Sequence, residues 1–246
     1  MTSDDPVDIE ALDAALAGAA PKLSDAEQRL AATIYRSVAK GRPATVEAAA
    51  LQSGLAGGVV EETLRAWPGV FRDSDGAIVG FWGLALHEMP PHRLRAGDVS
   101  LYAWCAWDPL FLAQIVGPLE VATEDPVTRS PITYRIGEDG AIDSLSHPGA
   151  VLSFLRPDQP WGQDVITTFC HYVLLFADAD SATRWCADHP GTFVISLDDG
   201  IQLARRFVRR MTGNALMAST SHANGSALVT SPHRGAANTS PTMRST

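Results

Sequence analysis

Only three cysteines occur among the 246 residues of the sequence, and the usual motifs for metal or nucleotide chemistry are missing. There is no Cys-x-x-Cys, no His-x-x-x-His and no cluster of histidine and cysteine with the spacing of a zinc site. Gly-x-Gly-x-x-Gly, a phosphate-binding loop and Gly-x-Ser-x-Gly are missing as well. The sequence therefore argues against a zinc protein, a typical dinucleotide-binding enzyme and a serine hydrolase.

Positive charge and long apolar runs are also scarce. The 19 Lys and Arg residues are outnumbered by 28 Asp and Glu residues, for a net charge of −9. This balance does not favour a nucleic acid or an anionic membrane as a partner. No apolar run reaches the roughly 20 residues of a membrane span, and the acidic N-terminus does not resemble a secretory signal. We therefore expect a cytoplasmic protein with neither a nucleic-acid nor a membrane partner.

Length and patterning predict an α+β protein with four regions. A hydrophobic content of 46% is enough for one large or two small domains. We expect a flexible acidic lead-in over residues 1–21, either loose or weakly helical, and a winged-helix-like domain with three helices over 22–88. A catalytic domain of mixed strands and helices, with an α/β character, is expected over 89–212. The polar tail at 213–246, with His222 and His233, is predicted to be disordered.

The winged-helix-like prediction comes from three helices followed by a hairpin. Ser24 and Glu27 form a capping box at the start of the first helix. Two shorter helices are predicted over 47–52 and 59–67, and apolar runs on both sides of Asp75-Gly76 predict a hairpin.

Charge argues against DNA binding by this domain. Glu61 and Glu62 outnumber Arg65 on the third helix, and Asp73 and Asp75 outnumber Arg72 in the hairpin. Such a surface would repel phosphates. We therefore interpret the domain as a structural element or a lid.

The second domain is predicted to be rich in strands. The expected strands are 101–104, 119–122, 132–136, 151–155, 166–176 and 193–197, and the expected helices are 109–116, 181–188 and 198–211.

Two cysteines in apolar, strand-like segments are candidates for chemistry. Cys105 and Asp108 are placed where a strand meets a helix, and Asp108 precedes Pro109. Capping of that helix would by itself account for Asp108. Alternatively, the carboxylate reaches the Cys105 thiol, and the helix N-terminus favours the thiolate. Cys170 is expected in the strand over 166–176, with the side chains alternating between its faces.

Two thiols with a nearby carboxylate suit a soft, thiophilic metal or a nucleophile that has its own proton carrier. The competing interpretation is that both cysteines simply fill the core, as buried cysteines commonly do. Cys186, on a predicted helix with no acidic neighbour in the sequence, is expected to serve in packing.

The segment Leu-Tyr-Ala-Trp-Cys-Ala-x-Asp at 101–108, together with Phe-Cys at 169–170, resembles the two active-site segments of organomercurial (alkylmercury) lyases. The resemblance extends over about residues 22–212. It departs from the family pattern at Trp107 and Pro109, where smaller or polar residues are expected.

The resemblance implies an enzyme that cleaves carbon–mercury bonds by protonation. Cys105 and Cys170 would bind mercury, and Asp108 would carry the proton and be a further candidate ligand. Trp104 would line the substrate pocket. No cofactor is implied, but small thiols are needed for turnover, and mercuric reductase is the expected acceptor of the Hg(II) product.

Three alternatives stay open at this point. The first is a non-catalytic thiol-based mercury or copper(I) binding protein or sensor, which would need no proton carrier such as Asp108. The second is a winged-helix transcription factor, and the third is a diverged homologue that uses the pocket for another substrate.

Overall fold

The computed structural model describes residues 7–213 and has an α+β fold. The α-helices in this part of the chain are α1 (Ile9–Ala19), α2 (Asp25–Val38), α3 (Val46–Ser53), α4 (Gly57–Ala66), α5 (Asp108–Val116), α6 (Val165–Thr168), α7 (Ala179–Ala187) and α8 (Leu197–Thr212). The strands are β1 (Val70–Arg72), β2 (Ile78–Phe81), β3 (Leu84–Ala85), β4 (Arg93–Ala96), β5 (Val99–Ala103), β6 (Leu119–Glu124), β7 (Pro131–Ile136), β8 (Ile142–Leu145), β9 (Val151–Leu155), β10 (Leu175–Phe176) and β11 (Thr192–Ser196). No helix within residues 7–213 is both long and apolar enough to cross a membrane.

The strands form two antiparallel sheets. The larger sheet has eight strands in the order β1-β2-β3-β5-β4-β6-β7-β8, and the smaller has the order β10-β9-β11. Because β3 pairs with both β2 and β5, the larger sheet continues across the boundary predicted between residues 88 and 89. That boundary stays a prediction.

The first helices and the hairpin occur in the predicted order. The Ser24 side chain accepts a hydrogen bond from the backbone N–H of Glu27, and the Glu27 carboxylate accepts one from the backbone N–H of Ser24, at 3.4 and 2.7 Å. The helices α2, α3 and α4 are followed by the antiparallel pair β1–β2. The winged-helix description itself remains a prediction.

Glu61 on α4 contacts both of the basic side chains that were considered for DNA binding. Its carboxylate lies 3.2 Å from Arg65 and 2.9 Å from Arg72. These two guanidinium groups are thus already paired with a carboxylate.

Residues 9–19, in the lead-in that was expected to be either loose or weakly helical, form α1. Leu12 and Leu16 are buried, and α1 packs against α8. Arg210 of α8 binds Asp13 in a two-pronged contact at 2.6 and 3.1 Å. The apolar spacing of the two leucines gives α1 a buried face, which a loose segment would not have. The tail at 213–246, which contains His222 and His233 and was predicted to be disordered, lies outside the described residues, except for Gly213.

Most of the predicted strands and helices of the second region occur within a few residues of their expected bounds, but the strand over 166–176 is wrong. That stretch forms α6, then a 3-10 turn at Cys170–Tyr172, and only then the two-residue strand β10. Val165 and Phe169 are both buried four residues apart, which is the spacing of a helical face. The run is apolar because it is buried as a helix and a turn, so its composition alone did not distinguish it from a strand.

Candidate active site

Cys105 lies in a tight connection between β5 and α5. β5 ends at Ala103 and α5 begins at Asp108, so only four residues separate the strand from the helix. The backbone N–H of Ala106 donates to the carbonyl of Val173 over 2.9 Å. This bond holds the connection against the segment that carries Cys170.

The structure brings Cys105, Asp108 and Cys170 together. One ligand atom from each of these residues lies within 4.8 Å of the other two. The side chains are nearly inaccessible, since Cys105 is 0% exposed and Asp108 and Cys170 are each 4% exposed. Two sulfur atoms and a carboxylate thus share one buried site.

Asp108 does not cap the helix, contrary to one of the two interpretations of the sequence. It is the first residue of α5, and the N-cap position is occupied by Trp107, whose side chain makes no capping bond. The Oδ2 atom of Asp108 instead accepts hydrogen bonds from the backbone N–H groups of Trp104 and Cys105, at 2.9 and 2.7 Å. Pro109 is in the first turn, where no backbone donor is needed. The carboxylate is therefore turned back towards Cys105.

Burial controls the protonation of the carboxyl group. It raises the pKa of Asp108 from 3.8 to about 7, although hydrogen bonds from the Cys105 amide, the Cys105 thiol and the Trp104 amide act in the opposite direction. A carboxyl group that titrates near neutral pH can both accept and release a proton there.

Both thiols are harder to ionise than an ordinary cysteine. Burial, the hydrogen bond with Cys170 and the charge of Asp108 all raise the pKa of Cys105 well above its usual range. The hydrogen bond with Cys105 lowers the pKa of Cys170, but burial and the Asp108 charge outweigh it, so this pKa is also raised. The backbone N–H of Trp107, at the start of α5, lowers the pKa of Cys105, as the sequence suggested for the helix N-terminus, but burial outweighs this effect.

Ser153 on β9 anchors the turn that carries Cys170. Its hydroxyl donates to the carbonyl of Tyr172 over 2.8 Å and accepts from the N–H of Leu174 over 3.0 Å. The Ser153 N–H also donates to the Leu174 carbonyl. Ser153 is fully buried, so these bonds are shielded from water. No residue pattern indicates this role, because it requires contact between segments that are distant along the chain.

A largely aromatic pocket opens beside Asp108 and Cys170. Asp108 is the only carboxylate among the described residues that line it. The aromatic lining includes Trp82, Trp104, Phe111, Trp161, Phe169 and Phe207. Trp104 lines this pocket, and its ring also packs edge-on against Phe71 with centroids 5.2 Å apart. That the pocket receives the substrate stays a prediction.

Trp107 packs in the core beside the site. Trp107 is buried, donates from Nε1 to the carbonyl of Gly200 over 2.9 Å, and packs against Phe111 and Phe207. Trp107, a departure from the family pattern, thus fills the core between α5 and α8.

Cys186 lies half-buried on α7 and is not part of the cluster of thiols and carboxylate.

Gly83 is a site residue that sequence reasoning missed. It lines the pocket and has a φ of +91°. A Cβ atom at this position would lie 2.7 Å from Cγ of Asp108. Only the Trp-Gly pair between two apolar runs could have indicated a turn here.

Comparison with known proteins gives consistent matches. The sequence model of the alkylmercury lyase family matches residues 86–209. An alkylmercury lyase of Streptomyces lividans is 34% identical over 173 residues, which are 70% of this chain and 78% of that protein. An alkylmercury lyase of Bacillus cereus is 32% identical over 174 residues, 70% of this chain and 77% of that protein.

A solved structure has the same fold. The crystal structure of the mercury-bound form of MerB2 superposes with a TM-score of 0.66 and 20% sequence identity. The superposition covers 82% of this chain and 98% of that one.

Proposed function

Because the chain belongs to the alkylmercury lyase family, we propose that it cleaves the carbon–mercury bond of organomercurials by protonation. The observation that carries this proposal is the buried group formed by Cys105, Asp108 and Cys170, whose ligand atoms lie within 4.8 Å of one another. Mercury is a soft metal that prefers thiolates over oxygen and nitrogen ligands. Cleavage of its bond to carbon also needs a proton donor, and Asp108 is adjacent to both sulfur atoms.

The first step is capture of the substrate, R–Hg–SR′, where SR′ is a small thiolate. Cys170 is the more accessible thiol, because it lines the pocket and Cys105 is fully buried. Its sulfur forms a bond to mercury while the bond from mercury to the small thiolate breaks. The Cys170 proton leaves with the small thiol, R′SH.

The second step uses the closeness of the Cys105 thiol and the Asp108 carboxylate, whose ligand atoms lie within 4.8 Å of each other. Cys105 sulfur binds mercury, and its proton moves to the Asp108 carboxylate. Two thiolates raise the electron density on mercury and make the bound carbon more basic.

The third step is protonation of carbon. Asp108 gives the proton to carbon as the carbon–mercury bond breaks, and the bonding electron pair stays with carbon. The products are the hydrocarbon R–H and Hg(II) bonded to Cys105 and Cys170, and Asp108 is again a carboxylate. Because its pKa is about 7, Asp108 can perform both transfers near neutral pH.

Release of Hg(II) requires other thiols, since two protein sulfur atoms hold it. Small thiols in excess would exchange with Cys105 and Cys170 and restore their protons. The family resemblance suggests mercuric reductase as the final acceptor. The apolar pocket suits neutral alkyl and aryl groups, because a charged substituent would lose its hydration without gaining a partner there.

The test is incubation of the purified protein with methylmercury and an excess of a small thiol, with methane measured in the headspace. Wild type should release methane over repeated turnovers, and Cys105→Ser, Cys170→Ser and Asp108→Asn should each abolish or severely reduce release. Cys186→Ser is the matched control, because that cysteine lies outside the cluster, and it should keep wild-type turnover.

The methane assay, together with an Hg(II) titration of the same samples, distinguishes an enzyme from a binding protein. A carrier or sensor for mercury or copper(I) needs the two thiols but no proton carrier. Stoichiometric Hg(II) binding without methane release from wild type would therefore favour the carrier, and it would contradict the proposed lyase activity.

A further inference from the structure

The residues Trp82 and Gly83 form a tight turn between β2 and β3. Both have positive φ, +34° for Trp82 and +91° for Gly83. Positive φ values at both central positions are typical of the two-residue turns that join antiparallel strands. Such a backbone is unfavourable for a residue with a side chain, so the surroundings of Trp82 must hold it.

Three hydrogen bonds hold Trp82 in this turn. The hydroxyl of Tyr35, which is fully buried on α2, donates to the Trp82 carbonyl over 2.8 Å. The Trp82 indole N–H donates to the carbonyl of Pro68 over 2.7 Å, and its backbone N–H donates to the carbonyl of Gly69 over 3.2 Å. The turn is thus a fixed element rather than a mobile loop tip.

Gly83 lies close to the Asp108 carboxyl group. A Cβ atom on Gly83 would lie 2.7 Å from Cγ and 2.8 Å from Oδ1 of Asp108, distances that real Cβ atoms do not adopt. The Gly83 carbonyl also accepts from the N–H of Trp104 over 3.2 Å. That same N–H donates to Oδ2 of Asp108 over 2.9 Å. Backbone N–H groups therefore hold Oδ2 of Asp108, and Gly83 bounds the space that Oδ1 occupies.

We propose that Gly83 is a positioning residue for the reaction, and that the Tyr35–Trp82 hydrogen bond keeps it in place against Asp108. This inference rests on the lyase activity proposed above. The lack of a side chain at Gly83 leaves the space that the carboxyl group occupies beside the two sulfur atoms. The atoms nearest to a methyl group there belong to Asp108 and Phe111 and not to either cysteine. The methyl group would therefore displace the carboxyl group, while Cys105 and Cys170 should remain in place.

The consequence is a specific change in kinetics. Capture of the substrate and binding of Hg(II) depend on sulfur, so they should be preserved when the carboxyl group moves. Proton delivery depends on the distance between Asp108 and carbon, and a misplacement of about 1 Å can slow a reaction roughly 100-fold. A general loss of structure would instead weaken binding and catalysis together.

The experiment compares Gly83→Ala with Gly76→Ala in the methylmercury assay. Gly76 also has a positive φ, +82°, but an added Cβ there would meet no atom within 4 Å. Both variants therefore impose the same type of backbone strain, and only Gly83→Ala creates a clash with Asp108. Gly83→Ala should lower kcat about 100-fold with unchanged KM and stoichiometric Hg(II) binding, and Gly76→Ala should keep wild-type kcat.

Tyr35→Phe tests the same inference without a new side-chain clash. It removes the bond to the Trp82 carbonyl, and kcat should fall about fivefold with KM and Hg(II) binding unchanged. This variant decides the matter if circular dichroism shows that Gly83→Ala is unfolded.

Wild-type kcat in folded Gly83→Ala, or in Tyr35→Phe, would overturn the positioning role while leaving the lyase intact. Loss of Hg(II) binding in parallel with kcat would also overturn it, because the effect would then be structural. Absence of methane from wild type would instead overturn the proposed function, and this inference with it.

Discussion

Replacement of Asp108 by asparagine should separate proton transfer from mercury binding. Asparagine has almost the same shape, and its carbonyl oxygen can still accept the backbone N–H groups of Trp104 and Cys105, which now bind Oδ2. The amide group cannot take a proton from Cys105 or give one to carbon. We expect kcat to fall about 100- to 10,000-fold, the usual contribution of a general acid–base group, and we expect Hg(II) binding to persist.

The same substitution should stabilise the protein in a pH-dependent manner. Burial raises the pKa of Asp108 from 3.8 to about 7, so the folded protein binds this proton more tightly than the unfolded chain. The carboxyl group therefore has no effect below pH 3.8, becomes increasingly destabilising between 3.8 and about 7, and has its full effect above that. The difference between the two pKa values corresponds to about 4 kcal/mol.

The assay is thermal unfolding of wild type and Asp108→Asn between pH 4 and pH 8. At about 2–4 °C per kcal/mol for a chain of this size, the variant should gain roughly 10 °C over wild type as the pH rises. Turnover of methylmercury and titration with Hg(II) are measured on the same samples.

Three results would contradict this role of Asp108. Turnover near the wild-type rate would exclude Asp108 as the proton carrier. Loss of Hg(II) binding would mean that the carboxylate is essential for mercury binding by the two thiols. A difference in melting temperature that does not change with pH would mean that the carboxyl group has an ordinary pKa in the folded protein.

Three further predictions follow from the site. Cys170→Ser should lower kcat more than about 1000-fold and should also weaken Hg(II) binding in a competition titration, and retention of both properties would remove this thiol from the site. Ser153→Ala breaks both hydrogen bonds between the Ser153 hydroxyl and the Cys170 turn and should lower the free energy of unfolding by about 3 kcal/mol. Urea denaturation measures this change, and an unchanged urea midpoint would contradict the anchoring role of Ser153. Because the Asp108 carboxylate must accept the Cys105 proton, kcat/KM of wild type should rise as the pH increases through about 7. This rise should be absent from the pH profile of Asp108→Asn. The same rise in the variant would show that another group titrates there.

The parts of the fold that depend on local patterns could be predicted from the sequence. The capping box at Ser24 and Glu27 uses residues three positions apart, and the structure contains it. The junction between β5 and α5 was likewise visible, because an apolar strand is followed by Asp108-Pro109. In these cases the interacting groups are neighbours along the chain.

Contacts between distant segments could not be derived in this way. Residue patterns alone gave no reason to place Cys170 beside Cys105, and the family resemblance supplied that expectation. The turn at Cys170–Tyr172 was mistaken for a strand because burial, rather than alternation, makes its neighbourhood apolar. Gly83 was missed because its importance lies in the space next to Asp108, which only the three-dimensional arrangement reveals.

The role of Asp108 shows the same limitation at short range. The sequence offered two interpretations, a helix cap or a partner of Cys105, and an Asp-Pro pair is compatible with either. The geometry of the connection decides, because Oδ2 accepts the amides of Trp104 and Cys105 rather than those inside α5. A backbone reversal over four residues cannot be inferred from residue types.

The source of the hydrogen delivered to carbon can be determined from the isotopic composition of the hydrocarbon released from methylmercury in D₂O. Thiol and carboxyl protons exchange with the solvent, so protonation of carbon through Cys105 and Asp108 predicts CH₃D, with one deuterium in each molecule released. Transfer of the methyl group to a sulfur atom, giving a thioether and no methane, would contradict the account. So would retention of intact methylmercury on the protein.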